Sequence, residues 1–231
     1  MTASTVRAWC VHLYTALGAV VALYTILAIE SNDFRQAFGL MVFAVVIDAT
    51  DGTLARAAGV QDLIPWFDGD RLEYIIDFLN YAIVPCLFLL GAELLPPMDA
   101  PWLIALPLVA SAYGFGQKSA KTADYFFLGF PSYWNIIAFY LYLLKTPLWI
   151  NAFLIIILSI LVFVPIRFIY PSRSPRFRGQ TNFLGALWGL ALLVIIYRLP
   201  EPPGFLIIAS LAYPAYYLCL SLWLELRRVV A

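Results

Sequence analysis

Half of the chain's 14 acidic residues fall within one stretch, residues 48–77, as Asp48, Asp51, Asp62, Asp68, Asp70, Glu73 and Asp77. The surrounding sequence is apolar. A carboxylate near a bilayer is costly unless it is paired, bound to a metal or open to water, so such a cluster marks a site. On a helix at about 100° per residue, Asp48 and Asp51 stand about 60° apart, with Gly52 and Ala55 on the same side. Glu73 and Asp77, one turn apart, share a face of the next helix. Packed side by side, these helices aim two acidic pairs at each other. Converging carboxylates repel unless cations lie between them, and hard oxygen donors select Mg²⁺, Mn²⁺ or Ca²⁺ over Zn²⁺. Asp62 and Asp68 fall in the connecting segment and are expected to cap and solvate helix ends.

The elements that must position these residues are membrane helices. The chain is 63% hydrophobic, 16% aromatic and 12% charged, with a mean hydropathy of +0.87, which excludes a soluble globular composition. A transmembrane helix needs roughly 20 apolar residues. Spans at about 7–29, 34–56 (apolar to Ile47), 71–95, 101–115, 132–144, 148–168, 182–197 and 204–224 predict an all-α, polytopic integral membrane protein of eight spans, folded as one domain over 1–231. The second span is expected to stay helical through Asp48, Asp51, Ala55 and Arg56 after it leaves the hydrocarbon. Gly59, Pro65 and Gly69 interrupt any helix over 57–70, and the apolar LIPWF segment at 63–67 is expected to lie on the membrane surface.

An even number of spans puts both termini on one side. The links sharing that side hold 11 of the 14 basic residues, against Arg35, Lys145 and Arg198 opposite, so both termini and the carboxylates are expected to be cytoplasmic. No acidic or basic tail suggests nucleic-acid binding. Cys10, Cys86 and Cys219 lack metal-ligand spacing and are expected to be buried small hydrophobes. The single histidine, His12, lies in the first span, where a polar contact inside the bundle is expected.

The stretch 48–77 resembles the signature of the CDP-alcohol phosphotransferases, Asp-x2-Asp-Gly-x2-Ala-Arg, a spacer, then Gly-x3-Asp-x3-Asp. It matches at Asp48, Asp51, Gly52, Ala55, Arg56, Gly69 and Asp77. Glu73 stands where most of the family has aspartate, and 12 residues separate Arg56 from Gly69 where about eight or nine are usual. The longer spacer closed by Gly69 to Leu72, and the later stretch from Lys121 to Asn135, resemble the bacterial branch of the family that uses choline.

The resemblance implies transfer of a phosphatidyl group from CDP-diacylglycerol to choline in a bacterial inner (cytoplasmic) membrane, giving phosphatidylcholine and CMP by direct displacement. It implies that Asp48, Asp51, Glu73 and Asp77 hold Mn²⁺ or Mg²⁺, that Asp77 is also the base for the choline hydroxyl, and that Gly52, Ala55, Arg56 and Gly69 line the CMP site. A quaternary ammonium calls for aromatic or acidic walls, for which Tyr74, Tyr81, Tyr125, Tyr133 and Trp134 are candidates by position. Arg173, Arg176 and Arg178 are candidates for the lipid phosphate; their other role is to fix topology. The partners implied are the two substrates and membrane lipids, and the sequence leaves a homodimer open. Two alternatives remain. One is a sister transferase using serine, inositol or glycerol phosphate. The other is an ion-coupled transporter, which the one-sided acids and the lack of an internal repeat disfavour.

Overall fold

A computed structural model describes residues 2–118, 122, 124–171 and 177–230. Five helical stretches are long and apolar enough to cross a membrane, at Ala3–Glu30, Phe34–Ala58, Gly69–Gly91, Arg178–Tyr197 and Gly204–Arg227. Shorter apolar helices at Ala100–Gly116, Trp134–Leu144 and Leu148–Phe163 take the places of the fourth, fifth and sixth expected spans. Large apolar side chains such as Leu13 (63%), Val109 (65%) and Phe205 (75%) are exposed. Apolar surface on this scale marks a lipid-facing protein. The protein is therefore an all-α polytopic membrane protein. Its described residues pack as two compact units, Met1–Glu93 with Trp134–Phe139, and Leu94–Tyr133 with Tyr140–Ala231.

In the first unit, helix α1 (Ala3–Glu30) packs along α2 (Phe34–Ala58) and against α4 (Gly69–Phe78) and α5 (Val84–Gly91). Local chemistry sets the helix starts. Asp33 accepts from Gln36 N at 3.0 Å to cap α2, and Asp68 accepts from Arg71 N at 3.0 Å to cap α4. Asp68 thus has the capping role expected of it. Gly59, at φ +63°, closes α2 in the left-handed region and leads into the single turn α3 (Val60–Leu63). Small residues then set the helix spacing. A Cβ at Gly18 of α1 would come within 2.4 Å of Ile76 Cγ2, so only glycine permits this approach of α1 to α4.

Between α4 and α5 the helix widens into a π turn, Leu79–Ile83, in which Val84 N reaches back to Leu79 O. Pro85 supplies the cause. A proline ring inside an α-helix lacks the N–H and collides with the carbonyl four residues back, here Tyr81, and the wider turn relieves both. Asn80 in this turn donates from Nδ2 to Gly18 O at 3.1 Å and to Ile76 O at 3.0 Å, tying it to α1.

The connecting LIPWF segment is partly buried within the protein. Ile64 is buried to 1% exposure, and Phe67 packs beside it against Ala8, Val11, Ala58 and Val60, while Trp66 remains 74% exposed. The apolar side chains find a protein groove, so this segment folds back as well as facing outward. Of the three free cysteines, Cys86 is buried as expected, whereas Cys10 and Cys219 are exposed on their helices. A small apolar side chain loses nothing by facing lipid.

The second unit contains α6 (Ala100–Gly116), α8 (Leu148–Phe163), α9 (Arg178–Tyr197), α10 (Gly204–Ser210) and α11 (Ala212–Val230); α7 (Trp134–Leu144) divides between the units at Phe139 and Tyr140. It also holds a feature absent from the sequence expectation. Strand β1 (Phe126–Leu128) pairs antiparallel with β2 (Arg167–Ile169), Phe127 opposite Phe168. Helix α11 clamps β2, with Tyr217 Oη donating to Ile169 O at 3.1 Å and Ser221 Oγ accepting from Ile169 N at 3.1 Å. Asp124, just before β1, pairs with Arg167. A hydrogen bond from Thr122 and the Arg167 charge hold the Asp124 carboxyl below the usual carboxylate range.

The distribution of basic residues makes a topological prediction. Reporter fusions after Ala231 and beside Lys118 should read cytoplasmic, and one beside Asp99 external. An external C-terminal reporter would contradict eight crossings.

Candidate active site

The site grows from the end of α2 and the face of α4 that continues into the π turn. Asp48, Glu73 and Asp77 each place a carboxylate oxygen such that all three lie within 4.8 Å of one another, and each residue is half-buried. Two oxygens on opposite sides of a divalent cation, each about 2.1–2.4 Å away, stand about 4.2–4.8 Å apart. The three carboxylates therefore fit one hard cation in both spacing and donor type.

Neighbours orient these groups. Tyr81 Oη donates to Asp48 Oδ2 at 2.7 Å. Glu73, Asp77 and Tyr81 follow one another at four-residue steps. A regular α-helix drifts by about 40° at each such step, and the π turn counters that drift by rotating less per residue, keeping Tyr81 on the stripe that meets α2. Asp51 is 5% exposed and accepts from Thr15 Oγ1 at 2.9 Å. One residue away on each helix, the hydroxyls of Tyr14 and Thr50 share a hydrogen bond of 2.8 Å. Helix α1 therefore fixes the register of the acidic end of α2.

The cluster that meets the metal-ligand spacing is Asp48, Glu73 and Asp77; Asp51 lies outside it, turned to Thr15. Gly52 and Ala55 are partly exposed. A Cβ at Gly52 would meet only Arg56 Nη1, at 3.4 Å, which leaves open space above this turn of α2 among the described residues. Arg56 is exposed and donates from Nη2 to Thr53 Oγ1 at 3.1 Å, a contact that a stronger anionic partner can replace. Gly69 opens α4 against the ring of His12.

The aromatic candidates separate. Tyr81 is committed to Asp48, and Tyr74 on α4 is 41% exposed. Trp134 has 0% exposure and presents no free face. Tyr125 and Tyr133 belong to the second unit. There Tyr125 is 41% exposed, and Tyr133 packs on Phe130 and Tyr217. Arg178 is exposed at the start of α9, whereas Arg173 and Arg176 lie outside the described residues. Spacing alone missed Thr15 and the Tyr81 hydrogen bond, which depend on how α1 and the π turn are set. Pro85 was the visible signal for the π turn.

The Tyr81 contact yields a prediction. Tyr81→Phe removes a charge-assisted hydrogen bond but no ligand, so the Mn²⁺ concentration for half-maximal activity should rise about tenfold, with little change in the rate at saturating metal. Asp48→Asn should abolish activity at any metal concentration, and Asp62→Asn should leave it unchanged. Metal titration of initial rates checks all three, and an unchanged Mn²⁺ requirement in Tyr81→Phe would refute the positioning role.

No protein-family model matches the chain. A phosphatidylcholine synthase from Legionella pneumophila is 38% identical over 224 residues, which cover 94% of this chain and 88% of that protein. One from Legionella bozemanae is 39% identical over 212 residues, 89% of this chain and 98% of its own length. A more distant one, from Pseudomonas aeruginosa, is 31% identical over 221 residues, 96% of this chain and 93% of its own.

Proposed function

The chain belongs to the phosphatidylcholine synthase family, and we propose that it transfers the phosphatidyl group of CDP-diacylglycerol to choline, releasing phosphatidylcholine and CMP. The observation that carries this reading is the convergence of Asp48, Glu73 and Asp77, from two helices of a membrane bundle, at the motif positions of a pyrophosphate-cleaving transferase. Asp48, Glu73 and Asp77 would hold Mn²⁺ or Mg²⁺, with Asp51 beside them. A cation bound there would supply charge neutralisation and polarisation to the pyrophosphate. Both termini and the site face the cytoplasm of a bacterial inner membrane, where CMP and choline exchange with solvent.

The residues of this chain do the rest. Arg56 can leave Thr53 and offer its fork to a phosphate oxygen of the donor. Gly52 and Ala55 keep the surface of α2 low enough for the nucleotide to lie on it. The choline oxygen attacks the phosphorus attached to diacylglycerol, the bond from that phosphorus to the CMP oxygen breaks, and the proton of the choline hydroxyl passes to Asp77. A choline hydroxyl is a weak acid, so a carboxylate within reach at the moment of attack lowers the barrier. Tyr74, exposed and next to Glu73 in sequence, remains a candidate wall for the choline ammonium. Arg178 remains a candidate for the lipid phosphate.

One assay tests the reading. Purified protein is given CDP-diacylglycerol, Mn²⁺ and separate acceptors, and CMP and lipid are both measured. Choline alone should give stoichiometric CMP and phosphatidylcholine; a serine- or inositol-dependent lipid with none from choline would move the protein to a sister transferase.

The two acids of α4 have separable roles. Asp77→Asn should lose at least a thousandfold in turnover while still binding the donor, since the other carboxylates remain. Glu73→Asp draws the carboxylate back by about 1.5 Å, one carbon–carbon bond. It should raise the Mn²⁺ requirement more than it lowers the saturated rate. Normal turnover by Asp77→Asn at saturating metal would remove it as the base.

A further inference from the structure

His12 is buried in α1, with 6% exposure. Its Nε2 has no hydrogen-bond partner, and among the described residues it is the only buried side-chain nitrogen or oxygen in that position. Buried polar groups in native proteins are nearly always hydrogen-bonded, so an orphan calls for an explanation. At Nε2 the polar contact expected of His12 inside the bundle is thus not made. The aromatic rings beside it supply none. The ring lies 4.5 Å from the ring of Phe67 and 5.8 Å, edge-on, from that of Trp9, and neither offers an acceptor. These aromatics nevertheless hold the imidazole in one orientation.

The position of His12 gives the orphan a meaning. A Cβ at residue 69 would come within 2.9 Å of His12 Cε1, so Gly69 is needed for the imidazole to lie where it does. Three residues further along α1, Thr15 holds Asp51. His12 therefore sits between two positions of the acidic motif, Gly69 and Asp51, on the side of α1 that faces α2 and α4.

Building on the phosphatidyl-transfer reading, we propose that His12 is a substrate-binding residue whose Nε2–H donates to an oxygen of the cytidine nucleotide of the donor. A nucleotide is rich in acceptors, carried by its phosphate, ribose and cytosine carbonyl, and a caged imidazole meets one at little entropic cost. The orphaned nitrogen is then satisfied only in the complex, and the selectivity of the site for a nucleotide-linked donor rests partly on it.

The experiment titrates CMP and cytidine, with Mn²⁺ present, against the purified full-length protein and its His12→Phe, His12→Gln and His12→Asn variants. Melting without ligand and the KM for choline are measured alongside. His12→Phe should melt no lower than the parent, because an unpaired polar group has been replaced by an apolar one. It should bind CMP about tenfold more weakly, as for one lost hydrogen bond, with the choline KM unchanged. His12→Gln, whose amide nitrogen reaches the place of Nε2, should retain most of the affinity, and His12→Asn, too short, should not. An equal loss for cytidine places the contact on the nucleoside, and a loss for CMP alone places it on the phosphate.

A purely structural histidine predicts the opposite pattern, with lower melting and unselective losses. CMP binding within twofold of the parent in His12→Phe would overturn the inference and leave the reaction assignment intact. Should His12→Phe fail to fold, equal binding by His12→Gln and His12→Asn would overturn it. If the parent itself binds no CMP, the phosphatidyl-transfer reading falls and takes the inference with it.

Discussion

Three carboxylates with oxygens within 4.8 Å of one another repel by roughly 3.5 kcal/mol per pair at an effective dielectric of about 20, before water screens them. A charge-assisted hydrogen bond of the Tyr81–Asp48 kind contributes only about 1.5–3 kcal/mol. Hydrogen bonds alone do not balance the repulsion; a divalent cation reverses its sign. Much of the first unit serves to bring these charges together. Gly18 lets α1 approach α4, Asn80 locks the π turn to α1, Thr15 fixes Asp51, and Tyr81 reaches across to Asp48.

Much of this was legible in the sequence. The apolar segments gave the helices and their order, because membrane helices satisfy their backbone internally and need only length and apolarity. The four-residue step from Glu73 to Asp77 and the three-residue step from Asp48 to Asp51 gave two acidic faces. Contacts between elements were not legible. That Asp51 turns to Thr15 depends on the register of α1 against α2, which spacing within one helix does not encode. Tyr81 was visible as an aromatic near the site, but its hydroxyl meets Asp48 by way of a turn widened ahead of Pro85. The β1–β2 pair is too short, and too rich in aromatics on both faces, to show a two-residue period.

The same distinction explains His12. A histidine in an apolar span reads as a packing residue with a polar partner, and only the packed helices reveal that Nε2 has no such partner and that Gly69 makes room for the ring. In both places, a motif glycine or acid draws its meaning from α1, a helix that lies outside the recognisable stretch. Substitutions along the face of α1 that carries His12, Thr15 and Gly18 are therefore expected to reach the site as directly as changes to the carboxylates do.

Asp48, Glu73 and Asp77 make one candidate cation site spanning α2 and α4. Electron paramagnetic resonance of Mn²⁺ titrated into the detergent-solubilised protein, with no substrate present, tests it without relying on turnover. Free Mn²⁺ signal should be lost to a saturable site in the parent. Asp48→Asn and Asp77→Asn, altered on different helices, should each weaken that site by an order of magnitude or more, and Asp62→Asn should match the parent. Equal Mn²⁺ binding by the parent, Asp48→Asn and Asp77→Asn would contradict the account.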